Sequence, residues 1–228
     1  MVIATTLAML IAAGCGPEKP PPEVAGRPVV VAAGDIADCA KEDEATAKLV
    51  SGIEGTVLTL GDHAYPDGSA EYFAECYDPS WGQFKARTMP SPGNHEYETA
   101  GSSGYLDYFG RAAGDPDKGY YSFDLGAWHL VALNSNCGVG EIRCGPGSPQ
   151  GRWLKKDLAD NDKKACTLAY FHHPLFASGS YRPGIKRVER LWEILFAGGV
   201  DVVLNGHDHN YQRFAPRTRR GGRIPSMA

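Results

Sequence analysis

The sequence predicts one α/β domain, and two observations carry that reading. From Pro28 onward, short apolar runs alternate with longer segments of helical composition, the pattern of strands and helices packed in layers. Four of those runs then lead into an acidic residue or a histidine, namely Asp35, Asp62, His172 and His207. Open α/β sheets place their ligand crevices at the carboxyl ends of strands, so such residues can converge. At 228 residues the chain is long enough to bury one sizeable core, and no shift in composition or pattern marks a second domain. The domain is expected to span residues 28–228, behind a leader over residues 1–27.

The leader begins with the apolar stretch Val2 to Ala13. It is too short to cross a bilayer as a helix and suits the apolar part of a signal peptide. Gly14 and Cys15 follow, then a Pro-rich segment from Pro17 to Pro28 that reads as an extended linker. The small residues before Cys15 resemble the bacterial lipobox, in which cleavage leaves the cysteine as an acylated N-terminus. That resemblance implies export and a lipid anchor to the membrane through Cys15, as a cell-envelope lipoprotein, or else secretion.

Within the domain the strand candidates are Val29 to Ala33, Thr56 to Leu60, Tyr120 to Leu125, Trp128 to Asn134, Cys166 to Phe171 and Asp201 to Leu204. The helix candidates are Glu42 to Gly52, a stretch within Ala70 to Ala86, Gln150 to Ala159 and Lys186 to Ala197. In the third of these, Trp153, Leu154 and Leu158 share one face while Lys155, Lys156 and Asp160 lie elsewhere, as in a surface helix packed on a sheet. Export would place the cysteines in an oxidising compartment. Cys137 and Cys144 then suit a local disulfide across a Gly-rich loop, and Cys39 with Cys76 would tie two loops together. Cys166 opens an apolar run and reads as a buried thiol.

The net charge is −4, from 23 Lys and Arg against 27 Asp and Glu. No basic stripe runs through the body, so nucleic acid is not expected as a stable partner. Arg217, Arg219, Arg220 and Arg223 form a terminal basic run that reads as a solvated tail. A Gly-x-Ser-x-Gly elbow is absent, which removes the usual support for serine-nucleophile chemistry.

The chemistry concentrates in five segments. They are Gly34-Asp35-Ile36-Ala37, Gly61-Asp62-His63-Ala64-Tyr65, Gly93-Asn94-His95-Glu96, Phe171-His172-His173-Pro174 and Gly206-His207-Asp208-His209. One such segment is a weak signal, whereas five in order are a strong one. Together they resemble the metal-binding blocks of the calcineurin-like metallophosphoesterases, and the match runs from Val29 to about Pro216. The resemblance implies a four-layer α/β/β/α sandwich. It also implies hydrolysis of a small phosphorylated substrate by two metal ions, which can clamp the attacking and leaving oxygens of a phosphate ester. Asp62 would bridge the ions, with Asp35, Tyr65 and His209 completing one ligand set and Asn94, His172 and His207 the other.

Tyr65, three residues after Asp62, resembles the purple acid phosphatase pattern, in which a phenolate binds ferric iron. Imidazole and carboxylate ligands suit iron, zinc and manganese alike, so the expected pair is iron with zinc, manganese or a second iron. By the same resemblance His95 contacts phosphate and helps the leaving group depart. Where those relatives carry a further substrate histidine this chain has Tyr181 and Arg182, and Arg182 is expected to grip phosphate oxygens through its fork. Glu96 reads as a solvated surface glutamate, His63 and His173 as residues that orient ligands, and His129 as a satisfied strand histidine. Two alternatives stay open: a phosphodiesterase or nucleotidase with the same metal core, and a catalytically silent exported binding protein. After Pro216 the sequence supplies no further strands, so the C-terminal part of the second sheet is expected to be truncated.

Overall fold

The computed structural model describes residues 7–9, 28–181 and 184–217. The apolar runs form two four-stranded sheets. The first contains β1 (Leu7–Met9), β2 (Val30–Ala33), β3 (Thr56–Leu60) and β4 (Thr88–Ser91), in that order. β1 is antiparallel to β2, and the other pairings are parallel. The second sheet runs β5 (Tyr121–Leu125), β6 (Trp128–Ala132), β7 (Cys166–Tyr170) and β8 (Val202–Leu204), antiparallel at β5–β6 and parallel beyond.

The two-residue repeat of the strands sorts their side chains between two faces. Val30, Leu58 and Leu60 from the first sheet meet Leu130, Ala132, Leu168 and Tyr170 from the second in one apolar cluster. The alternate residues point outward. Val31 and Val57 pack with Ala47 and Val50 of α1 (Lys41–Ser51) and with Tyr105 and Phe109 of α2 (Ser103–Phe109). Val131, Ala169 and Phe171 pack with Leu154 and Leu158 of α3 (Pro149–Asp160) and with Leu191, Ile194 and Leu195 of α4 (Glu189–Ala197). One cluster thus joins residues of the two sheets, and the other two pack helices against one sheet each.

Local chemistry explains the boundaries. α3 opens where the Ser148 hydroxyl accepts the Gly151 N–H and Pro149 fills the first turn, a position that needs no donor. Among the described residues no helix is long and apolar enough to cross a membrane. β4 is absent from the sequence expectation because Pro90 interrupts it. Proline is tolerated there because, among the described residues, β4 pairs only with β3, at the edge of its sheet. The helix expected within 70–86 is continuous from Ala70 to Arg87, with right-handed backbone at every junction, while its hydrogen bonding passes from α (Ala70–Tyr72) through a wider π turn (Phe73–Tyr77) and back to α (Asp78–Trp81) before tightening over Gly82–Arg87.

Both expected disulfides form, Cys39–Cys76 and Cys137–Cys144. Cys166 is buried as read, but it is disulfide-bonded and not a thiol; an apolar run reports burial and says nothing about oxidation. His129 is satisfied on both ring nitrogens, by Asp124 at 2.9 Å and Asp157 at 2.8 Å. Within the stretch read as a leader, Leu7–Met9 form β1. Cys15 and the Pro-rich segment lie outside the described residues, as do residues 218–228 of the basic tail.

Candidate metal centre

The proposed ligands all sit in loops just past strand ends. Asp35 follows β2, Asp62 and Tyr65 follow β3, and Asn94 follows β4, while His172 follows β7 and His207 and His209 follow β8. Six non-glycine residues among those described have positive φ, and four of them are Asp35, Asp62, His207 and His209. Each such conformation costs about 1–3 kcal/mol and persists where surroundings enforce it. Close approach requires glycine at two positions in these loops. A Cβ on Gly61 would stand 2.6 Å from the Gly93 backbone, and one on Gly93 would stand 2.1 Å from Asp62 Oδ1.

The side chains converge in two sets. Tyr65 Oη lies 3.2 Å from Asp35 Oδ1, 3.3 Å from Asp62 Oδ2 and 3.0 Å from His209 Nε2. His209 Nε2 is in turn 3.3 Å from Asp35 Oδ1. In the second set His172 Nε2 lies 3.0 Å from Asn94 Oδ1, 3.0 Å from His207 Nδ1 and 3.1 Å from Asp62 Oδ2. Asp62 Oδ2 belongs to both. Two donors each about 2.1 Å from one ion and at right angles stand about 3.0 Å apart, so these spacings fit a pair of ion positions sharing one carboxylate oxygen. The donor types agree, since oxygen and imidazole donors suit iron, zinc and manganese.

The protein also aims these atoms. The Leu60 carbonyl accepts a hydrogen bond from His172 Nδ1 at 2.8 Å, which turns Nε2 toward the centre, where an ion would take the place of its proton. The His207 backbone N–H donates to Asp35 Oδ2 at 2.7 Å, and the His95 backbone N–H to Asp62 Oδ1 at 2.9 Å. Burial alone would raise the Asp62 carboxyl, but the His172 imidazolium and its hydrogen bond hold it well below the usual range. Burial opposes the His172 charge too, and Asp62 still lifts it to about 9. His207 is pushed down to about 4 by burial and then by His172. Burial, then Asp35 and Asp62, keep the Tyr65 phenol far above its ordinary value in the metal-free protein. A shared cation would relieve this crowding of donors.

His95 lies at the rim, with Nδ1 on the Pro66 carbonyl and Nε2 3.9 Å from Asp62 Oδ2. Arg182 lies outside the described residues. Glu96 corrects the reading of a solvated glutamate: it is fully buried. It accepts the N–H groups of Asp62 at 2.9 Å, His63 at 2.8 Å and Gly93 at 2.6 Å. Sequence reasoning missed it because nothing in a Glu beside His95 says that its carboxylate folds inward onto backbone donors. His63 is buried among Phe73, Tyr77, Tyr105 and Phe109 and bonds Thr59 Oγ1 at 2.7 Å, so it supports the loop without touching a proposed ligand. His173 packs its ring against those of His172 and His207 at 4.9 and 4.7 Å. Its nitrogens are taken by Ser135 Oγ and by the Arg187 guanidinium, a permanent donor, so neither is left for an ion.

This fold and loop arrangement define a class. The chain belongs to the calcineurin-like phosphoesterase family, whose family model matches residues 22–211. Among curated proteins it is similar to purple acid phosphatase 15 of Arabidopsis thaliana, 29% identical over 86% of this chain and 42% of that protein. It is likewise similar to a purple acid phosphatase of Glycine max, 27% identical over 69% of this chain and 37% of that one. A solved purple acid phosphatase from yellow lupin (Lupinus luteus) seeds shares the fold, with a TM-score of 0.57 and 21% identity, over 78% of this chain and 37% of that chain. The chain therefore spans less than half the length of these relatives.

Proposed function

We propose that the protein hydrolyses phosphate monoesters at a dinuclear metal centre of the acid phosphatase type. The observation that carries this reading is the pair of donor sets meeting at Asp62 Oδ2, with Tyr65 and His172 each within 3.3 Å of that oxygen. Asp35, Asp62, Tyr65 and His209 would hold iron, because a phenolate is a hard anionic donor that a trivalent ion stabilises. Asp62, Asn94, His172 and His207 would hold zinc, manganese or a second iron. When bound, the ions neutralise the phosphate and activate water as nucleophile.

The chain's own residues do the rest. His95 is the proposed acid: with Nδ1 fixed by the Pro66 carbonyl, it presents Nε2 toward the leaving oxygen. Arg182 is proposed to grip phosphate oxygens. The Cys39–Cys76 and Cys137–Cys144 bridges support export to an oxidising compartment.

Metal analysis, the visible spectrum and p-nitrophenyl phosphate hydrolysis, measured on wild type and Asp62→Asn, test this. Two ions per chain, a charge-transfer band that disappears in Tyr65→Phe, and hydrolysis lost in Asp62→Asn are expected. A folded, metal-free and inactive wild type would favour a binding protein. Faster cleavage of bis(p-nitrophenyl) phosphate would favour the diesterase alternative.

A further inference from the structure

Tyr181 is a large side chain that is 44% exposed, yet its position is closely determined. Its ring stacks on that of His207, with centroids 4.2 Å apart and planes 28° from parallel. Its backbone N–H and that of Ser180 both donate to Asp208 Oδ1, at 3.4 and 2.9 Å. Gln212 extends this clasp. Its Nε2 donates to Asp208 Oδ2 at 2.6 Å, and its Oε1 accepts the Ser178 N–H at 2.6 Å and the Ser178 hydroxyl at 2.8 Å. The turn fits so closely that a Cβ on Gly179 would stand 2.3 Å from Asp208 Oδ2.

Asp208, buried between two histidines of the proposed centre, thus spends its carboxylate on holding segment 178–181 beside them and not on an ion. The result is an aromatic ring stacked on a proposed ligand and part-exposed to solvent. A ring already stacked on His207 above a fixed backbone loses little further freedom when it binds, and ring pairs attract in offset or tilted stacks.

We propose that Tyr181 is a specificity-determining residue that stacks on the planar organic group of the ester, so that the site favours aryl phosphates over alkyl ones. This rests on the phosphatase reading above. The test compares kcat/KM for p-nitrophenyl phosphate and glycerol 2-phosphate in the metal-loaded full chain, for wild type, Tyr181→Phe and Tyr181→Leu. Phenylphosphonate and methylphosphonate binding, measured by calorimetry, is the readout independent of turnover.

Relative to wild type, the aryl-to-alkyl ratio is expected to fall roughly tenfold in Tyr181→Leu and to be retained in Tyr181→Phe. The preference for phenylphosphonate over methylphosphonate should fall in parallel. An unchanged ratio in Tyr181→Leu, or equal losses in both variants, would overturn the stacking role while leaving the phosphatase reading intact. A metal-loaded wild type that neither cleaves the esters nor binds methylphosphonate would instead remove the reading on which the proposal stands.

Discussion

Asp62 and His172 meet at 3.1 Å inside the protein, and their opposite charges hold each other. In the metal-free protein this makes stability depend on pH in a definable way. His172, raised to about 9, keeps its proton when folded and loses it when unfolded above about 6.5, so stability falls as pH rises from 6.5 to 9. His207, lowered to about 4, stays neutral when folded while the unfolded chain takes a proton below 6.5, and His173 is lowered in the same direction. Between pH 4 and 6 these two outweigh Asp43, which burial and Asp38 raise to about 6 and which pulls the other way. Urea unfolding in chelator is therefore expected to show maximal stability near pH 6.5. A monotonic rise to pH 9 would contradict the assignment to His172.

Two more predictions belong to single residues. Glu96→Gln keeps the volume but turns an amide donor toward the N–H groups of Asp62, His63 and Gly93. It is expected to weaken metal binding about 10–100-fold in a chelator competition while far-ultraviolet dichroism is kept. His95→Asn is expected to lower kcat by about 10²–10⁴ with metal content unchanged, because its ring lies 3.9 Å from Asp62 Oδ2 and outside both donor sets.

At the scale of elements, what was legible in the sequence followed from periodicity. β2, β3, β6 and β7 alternate between two buried faces and announce themselves as apolar runs. β4 did not, because among the described residues it pairs with β3 alone and Pro90 disguises it. The helical stretch from Ala70 to Arg87 was legible in composition, but its π turn and tightened last segment were not. The candidate ligands were named through the resemblance of their five segments to a known family, whereas the positions of Glu96 and Tyr181 depend on which groups approach them from distant segments. The Cys39–Cys76 bridge joins the loop carrying Asp35 to the turn Phe73–Tyr77 across 37 residues. Replacing both cysteines by Ala is expected to cost about 3–4 kcal/mol in non-reducing urea unfolding, from chain entropy alone.

For the whole molecule, the centre lies where two sheets converge. The first sheet supplies Asp35, Asp62, Tyr65 and Asn94, and the second supplies His172, His207 and His209. Ions bound at a hundred times their dissociation constant would stabilise the folded state by about 2.7 kcal/mol each. Chelation is therefore expected to lower Tm by about 5–10 °C per ion in calorimetry, at 2–4 °C per kcal/mol for a domain of this size.

The division of donors between the sheets also sets an order of events. The proposed second ion needs Asp62 and Asn94 from one half and His172 and His207 from the other, so neither half can capture it before they meet. A chain threading through a membrane unfolded would arrive empty and fill only after its core has closed. Occupancy of that position is then a record that the molecule has completed assembly, and counting it in a mixed preparation would count finished molecules.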